Sequence, residues 1–261
     1  MNNSIRYGYI TPSADSVRIQ MKAGQNISGF PIGIIYIEDV YYPMLPGNIV
    51  NGYTFPFPVR LMPVKDLNCS DLFTVADSVE PRILDACFQL RKEGVRAISA
   101  ACGFFGNYQE AVSEALDLPV ALSSLIQIPW ILPLLKKNQK IGILTADQSS
   151  FSDRLLNNCG ITDAMKSRLI IKDLRHEKEF SCILEGRGSF DNQIVREEVV
   201  RKSTEIISES PDCGAILLEC SDMPPYASAV QAATSLPVFD FTTLIRWLCS
   251  GVTQTPYCGF I

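Results

Sequence analysis

The sequence predicts an α/β fold of two pseudo-symmetric halves that face each other, each a mainly parallel sheet flanked by helices. Apolar runs of strand length alternate with segments of helical spacing, an alternation typical of parallel sheets. Two of these runs end in a cysteine, Cys102 and Cys220, with similar residues around each. The runs 32–39 and 140–147, which open the two halves, also resemble each other.

The first half is predicted over residues 32–124, after an N-terminal extension at 1–31. The prolines between 41 and 63 exclude a long helix there, so we expect an irregular excursion that forms a lid or a dimer contact. The predicted elements are, in chain order, a short strand and turn at 7–13, a strand at 32–39, a short strand near 59–64, a helix at 77–94, a strand to Cys102, a helix at 107–116 and a strand at 118–124.

The second half is predicted over residues 125–241, and the C-terminal segment 242–261, with a helix near 242–250, is expected to pack back on the first half. The predicted elements are, in chain order, a helix at 127–137, a strand at 140–147, a helix from about 149 to 159, a strand at 167–174, a loop at 180–192, a helix at 193–209, a strand to Cys220, a helix after Pro224 and a strand at 236–240.

The composition indicates a globular chain with reduced thiols. Of 261 residues, 47% are hydrophobic and 20% are charged, and the net charge is −5 with a pI near 5.0. An acidic chain does not suit nucleic acid or an anionic membrane, and no apolar run reaches the roughly 18 residues that span a bilayer. Because no signal peptide is seen and the 9 cysteines are an odd count, we expect a cytoplasmic location.

Cys102 and Cys220 are the candidate catalytic residues because each stands at the carboxyl end of a strand, beside the start of a helix. Open α/β sheets bind ligands at such ends, and the helix dipole is expected to lower the pKa of a thiol there. Two thiols on opposite faces of one carbon atom would invert its configuration. The other seven cysteines are interpreted as small hydrophobic residues of the core.

We expect neither a metal nor a cofactor. The chain has no Cys-x-x-Cys pair, and its one histidine, His176, lies in a charged run, so closely spaced zinc ligands are missing. The residues after Cys102 form neither a Gly-x-Gly-x-x-Gly fingerprint nor a Walker loop, so no nucleotide cofactor is indicated.

A substrate carboxylate is expected to bind neutral donors, since few basic residues lie near the predicted strand ends. Backbone amides at helix starts are unpaired and favour an anion. Asp39 is expected to orient an ammonium or amide group, with a structural role in a turn as the alternative. The predicted substrate-binding residues are Asp39, Gly103, Phe104, Ser123, Ser124, Thr145, Ser221 and Asp222.

Four segments, 100–104, 121–125, 141–145 and 218–223, resemble the aspartate/glutamate/hydantoin racemase superfamily. The resemblance implies two α/β halves with the active site between them and no cofactor. It also implies that one cysteine removes an α-proton and the other delivers a proton to the opposite face. Gly103-Phe104 and Ser221-Asp222 stand where amino-acid racemases of this group often carry Asn-Thr and Thr-His, so the motifs are closer to hydantoin racemases and the decarboxylase/isomerase side.

The main expectation is therefore a cofactor-independent racemase or epimerase, an isomerase that acts on a small carboxylate, amino acid or hydantoin-like substrate and forms a homo-oligomer. A decarboxylase or cis–trans isomerase on the same scaffold is the first alternative, in which one cysteine acts and the other is secondary. A small-molecule binding protein without turnover is the second alternative, because nothing in the sequence excludes it.

Overall fold

A computed structural model describes residues 18, 21, 23–76 and 78–261. The short strand and turn expected at 7–13 lie outside these residues. Within them, the chain forms two four-stranded parallel sheets flanked by helices, which confirms the predicted fold class.

The first sheet is built from the elements that precede residue 122. They are, in chain order, β1 (Ile32–Ile37), β2 (Val59–Val64), α1 (Cys69–Thr74), α2 (Val79–Glu93), β3 (Ala97–Ala101), α3 (Gln109–Ala115) and β4 (Val120–Ala121). Helix α2 ends where the sequence predicts, because Gly94 adopts the left-handed conformation, φ 89°, that closes a helix at low steric cost.

The second sheet and the C-terminal helix follow. Their elements are, in chain order, α4 (Ile128–Ile131), β5 (Lys140–Thr145), α5 (Asp153–Asn158), α6 (Asp163–Lys166), β6 (Leu169–Asp173), α7 (Cys182–Glu185), α8 (Asn192–Glu209), β7 (Cys213–Leu218), α9 (Ala227–Thr234), β8 (Val238–Phe239) and α10 (Phe241–Val252).

The two sheets have the same strand order, β2-β1-β3-β4 and β6-β5-β7-β8. Strands β3 and β7 therefore occupy equivalent places, each paired in parallel with the first strand of its half. This internal repeat places the two strand-end cysteines at corresponding edges of the two sheets, where α/β folds bind ligands.

Several predicted elements differ from the structure. The helix expected at 127–137 is broken into α4 and short 3₁₀ turns, because Pro133 has no amide hydrogen to continue the helix. The strand expected at 118–124 is reduced to the two residues of β4. Helix α1 was not predicted, and the loop expected at 180–192 contains α7.

The core is continuous across the halves. One cluster of buried side chains joins Ile35 and Ile98 of the first sheet with Ile143 and Leu217 of the second. Helix α10 contributes Phe241, Leu244 and Ile245 to a second cluster with Ile32 and Ile34 of β1. No helix of the described residues is long and apolar enough to cross a membrane.

Candidate active site

Both strand-end cysteines line a single cavity between the halves. Cys102 follows β3 directly, and Cys220 follows β7 after one intervening residue, Glu219. The cavity encloses about 580 Å³ of empty space, including its opening. The carboxyl ends of parallel strands lie at one edge of a sheet. Because β3 and β7 occupy equivalent places in the two sheets, the residues after both strands can line one cavity.

The cavity wall combines aromatic rings, thiols and carboxyl groups. Among the described residues that line it, none is a lysine, arginine or histidine. Its aromatic members are Tyr36, Tyr42, Phe73 and Phe104, and its ionisable members are Tyr36, Tyr42, Cys69, Cys102, Glu219, Cys220 and Asp222. An enclosed space with this lining favours a ligand that carries positive charge on apolar groups.

Part of the wall comes from the proline-rich excursion. Tyr42, Met44, Asn48 and Val50 line the cavity although they lie between β1 and β2. The segment is held down by a hydrogen bond from the Ile49 amide to the Ser221 carbonyl, 3.4 Å long. The excursion therefore forms part of the cavity wall, and its role as a lid or a dimer contact stays a prediction.

Asp222 is the polar centre of the site. Its Oδ2 atom accepts hydrogen bonds from the Cys220 thiol at 3.4 Å and from the Tyr42 hydroxyl at 3.3 Å, while Oδ1 accepts from the Asn48 side-chain amide. Burial raises the pKa of Asp222 to about 6, and these donors act against the rise. At neutral pH Asp222 is mainly a carboxylate, the form that accepts the hydrogen bond of the Cys220 thiol.

Glu219 is a second carboxyl group beneath the thiols. Its side chain is 1% exposed, and Oε2 accepts a hydrogen bond of 2.8 Å from the Thr145 hydroxyl. Oε1 has no hydrogen-bond partner among the described residues. Burial raises the pKa of Glu219 to about 7, so this residue also changes its charge near neutral pH.

The prediction that the pKa values of the Cys102 and Cys220 thiols are lowered is wrong. Burial raises the pKa of Cys102 and Cys220 well above the ordinary value, and the neighbouring carboxyl groups add to the rise. The expected helices begin as short 3₁₀ segments, 103–108 and 224–226. Single backbone amides, of Phe104 for Cys102 and of Asp222 for Cys220, oppose the rise without overcoming it.

Three predicted carboxylate donors point into the protein instead of the cavity. Ser123 accepts from the Leu125 amide, and Ser124 donates to the carbonyls of Leu218 at 3.4 Å and of Glu219 at 3.3 Å. Thr145 donates to Glu219. All three are fully buried and absent from the cavity wall. Ser124 and Thr145 instead bind the end of β7 and the residue after it, and Ser123 caps the turn at 124–127.

The remaining predicted binding residues divide into two groups. Gly103, Phe104, Ser221 and Asp222 line the cavity. Asp39 is exposed and lies outside the cavity wall, so its contact with a substrate stays a prediction.

The sequence interpretation missed Glu219, Tyr42, Asn48 and Cys69. Glu219 had a visible signal, since a carboxyl group at the end of an otherwise apolar strand must be buried or functional. Tyr42 and Asn48 carried no local signal because their role depends on how the excursion folds over the strand ends. Among the described residues, no group of three or more His, Cys, Asp or Glu is placed to hold a metal ion.

Gly103→Ala is expected to abolish activity because glycine is required between the two halves. A Cβ atom at this position would lie 1.6 Å from Oε1 of Glu219, so either the buried Glu219 side chain or the turn that carries Cys102 would have to move. We expect a stability loss of about 1–3 kcal/mol in thermal unfolding. Gly251→Ala, where a Cβ meets nothing within 4 Å, is the matched control. Full activity in Gly103→Ala would contradict this close approach.

Sequence comparison finds lyases. The chain is 31% identical over 237 residues to dimethylsulfoniopropionate lyase 7 of Emiliania huxleyi, covering 87% of this chain and 69% of the relative. It is 29% identical over 240 residues to a dimethylsulfoniopropionate lyase of Durusdinium sp. clade D, covering 90% and 79%. No protein-family model matches the chain.

Structure comparison finds the predicted superfamily fold. Unliganded arylmalonate decarboxylase superposes with a TM-score of 0.53 at 16% identity, covering 87% of this chain and 93% of that one. An aspartate racemase homologue from Pyrococcus horikoshii gives 0.54 at 17% identity, covering 86% and 99%. The fold is that of the aspartate/glutamate racemase superfamily. The sequence relatives are lyases, so they support an enzyme and favour the decarboxylase alternative over racemisation.

Proposed function

Since the chain belongs to the dimethylsulfoniopropionate lyase family, we propose that it cleaves dimethylsulfoniopropionate into dimethyl sulfide and acrylate by removing an α-proton. The observation that carries the proposal is the cavity wall. It joins two thiols to aromatic rings and carboxyl groups, with no basic side chain among its described residues. This lining suits a substrate whose reacting end is a methylated sulfonium cation.

The sulfonium end is assigned to the aromatic and acidic part of the wall. Methylated cations bind over the faces of aromatic rings, an interaction worth about 2 kcal/mol when both partners are shielded from water. Tyr42 offers a ring next to the Asp222 carboxylate, which it contacts by a hydrogen bond. A bound cation would stabilise a thiolate at Cys220, and so act against the burial that raises the pKa of that thiol.

Cys220 is assigned as the base. Asp222 takes the thiol proton through their 3.4 Å hydrogen bond, which leaves a thiolate and a neutral carboxyl group. The thiolate then removes a proton from the α-carbon. The electrons of that C–H bond form the carbon–carbon double bond, and those of the C–S bond leave on neutral dimethyl sulfide. The thiol is restored, and one proton remains on Asp222.

The carboxylate end is assigned to the turn after Cys102, where Gly103 and Phe104 line the cavity. Negative charge grows on the substrate carboxylate as the α-proton leaves, so donors placed there stabilise the transition state. Cys102 remains a thiol in this scheme and can donate a hydrogen bond to that charge. One base is sufficient, because the leaving group departs without needing a proton.

Elimination and racemisation share their first step. Both require removal of a proton next to a carboxylate, which explains how one scaffold serves either reaction. They diverge when the β-carbon carries a good leaving group, as in a sulfonium substrate. The lyase relatives support elimination, whereas the paired thiols alone support inversion equally well.

Incubation of the purified chain with dimethylsulfoniopropionate is expected to release dimethyl sulfide and acrylate in equal amounts. Headspace gas chromatography and liquid chromatography measure the two products. A Cys102→Ala/Cys220→Ala double variant serves as the background control. Absence of dimethyl sulfide above that background, from a folded wild-type protein, would reject the proposed function.

A further inference from the structure

Elimination leaves a proton to be removed from the site after every turnover. Dimethylsulfoniopropionate has no net charge, whereas its products are a neutral sulfide, the acrylate anion and one proton. Racemisation has no such net product. In the scheme above, the proton remains on Asp222 while the main cavity still holds acrylate and dimethyl sulfide.

Asp222 also lines a second, smaller cavity. This cavity lies between Asp222, α8 and the excursion after β1, and its volume of about 10 Å³ is about that needed for one water molecule. Its wall is largely apolar, with polar groups supplied by Asn48, Glu179, Asp222 and Tyr226. Asn48 and Asp222 belong to the walls of both cavities, so the second cavity begins where the proton is left.

Glu179 connects the second cavity to the surface. It lines that cavity and also a basin formed with Arg187, Ser189, Phe190 and Asp191. Its Oε2 atom accepts a hydrogen bond of 3.0 Å from the Asp191 amide, and its side chain is 15% exposed. Arg187, Ser189 and Asp191 are exposed, so a proton on Glu179 has direct access to water.

We propose that the second cavity is a proton exit, through which Asp222 transfers the product proton to water and Glu179 delivers it to the surface basin. The inference rests on the proposed function, since only the elimination generates the proton. No bond other than O–H is made or broken along this path. Each transfer restores the donor: Asp222 returns to the carboxylate that accepts the Cys220 proton in the next turnover.

The charged groups around the path are compatible with this direction of transfer. Asp222 accepts hydrogen bonds from Cys220 and the Tyr42 hydroxyl and also lines the second cavity. Lys178 lies 4.0 Å from Oε1 of Glu179 at the surface end of the path. Water that bridges the two carboxyl groups would be held by polar atoms at both ends of the cavity.

Glu179→Gln is expected to lower dimethyl sulfide release in weakly buffered solution by roughly tenfold, because proton transfer then limits the cycle. High concentrations of a small buffer should restore the wild-type rate, since buffer molecules replace the missing relay. Glu185→Gln, an exposed carboxylate on α7 outside the second cavity, should show no buffer dependence beyond the wild type. The solvent isotope effect should rise only in Glu179→Gln.

A second variant tests the path without changing charge. Val195→Met narrows the second cavity from α8 and should also make the rate depend on buffer concentration. Equal rates for Glu179→Gln and wild type in weak buffer, or a loss that buffer does not restore, would overturn the proton exit. Failure of the wild type to release dimethyl sulfide would instead reject the proposed function, so the two results are distinguishable.

Discussion

Cys220→Ala is expected to lower dimethyl sulfide release by roughly 10³-fold, within the range attributed to a positioned general base. The alanine removes the only sulfur that is hydrogen-bonded to Asp222 among the described residues. Asp222 itself remains buried in its set of donors, so the fold should be retained. Initial rates under substrate saturation, together with thermal unfolding, separate a catalytic loss from a folding defect.

Cys258→Ala is the matched control, because this cysteine is exposed near the C-terminus and far from the cavity wall. It should leave the rate unchanged. Cys102→Ala separates the one-base scheme from two-base inversion: elimination should persist at a rate about tenfold below wild type, since one hydrogen-bond donor is lost. Full activity in Cys220→Ala, with complete loss in Cys102→Ala, would transfer the role of base to Cys102.

The fold was predictable because its main signals are local. Buried parallel strands read as apolar runs, and the repeat of a strand ending in cysteine is visible without any knowledge of contacts. The order of the strands was not predictable, because it depends on crossovers that leave no local pattern. Pro133 was a visible warning against one long helix at 127–137, and the structure shows the break that it causes.

The chemistry of the site was less predictable than its place. The positions of Cys102 and Cys220 in the site can be predicted because each stands at the end of a strand. The pKa of a thiol, however, depends on burial and on carboxyl groups contributed by other elements. Thr145 shows the same limit: its hydroxyl stands at a strand end, as expected, yet Glu219 takes its hydrogen bond. Tyr42 reaches the site only because the excursion after β1 contacts Asp222, which lies 180 positions later in the sequence.

The charge of the cavity gives the second large expected effect, which concerns binding alone. 3-(Trimethylammonio)propionate carries a methylated cation at the position of the sulfonium, and 4,4-dimethylpentanoate has the same shape and the same carboxylate without the positive charge. We expect the cation to bind at least about 100-fold more tightly, a difference of about 2.7 kcal/mol. A neutral tert-butyl group enters an apolar cavity more easily than a cation does, so a preference for the cation must come from the aromatic rings and the carboxylates.

The preference for the positively charged ligand should weaken as the pH falls. Asp222 and Glu219 have pKa values raised to about 6 and about 7, so acidification from about pH 8 to about pH 5 neutralises both and weakens binding of the cation. Binding of 4,4-dimethylpentanoate, which lacks the positive charge, should not weaken over the same range. Asp222→Asn should reduce both the preference and its pH dependence, as measured by isothermal titration calorimetry. Equal affinity of the two ligands at about pH 8 would show that the cavity recognises shape alone, and the assignment of the sulfonium to Asp222 and Tyr42 would then be wrong.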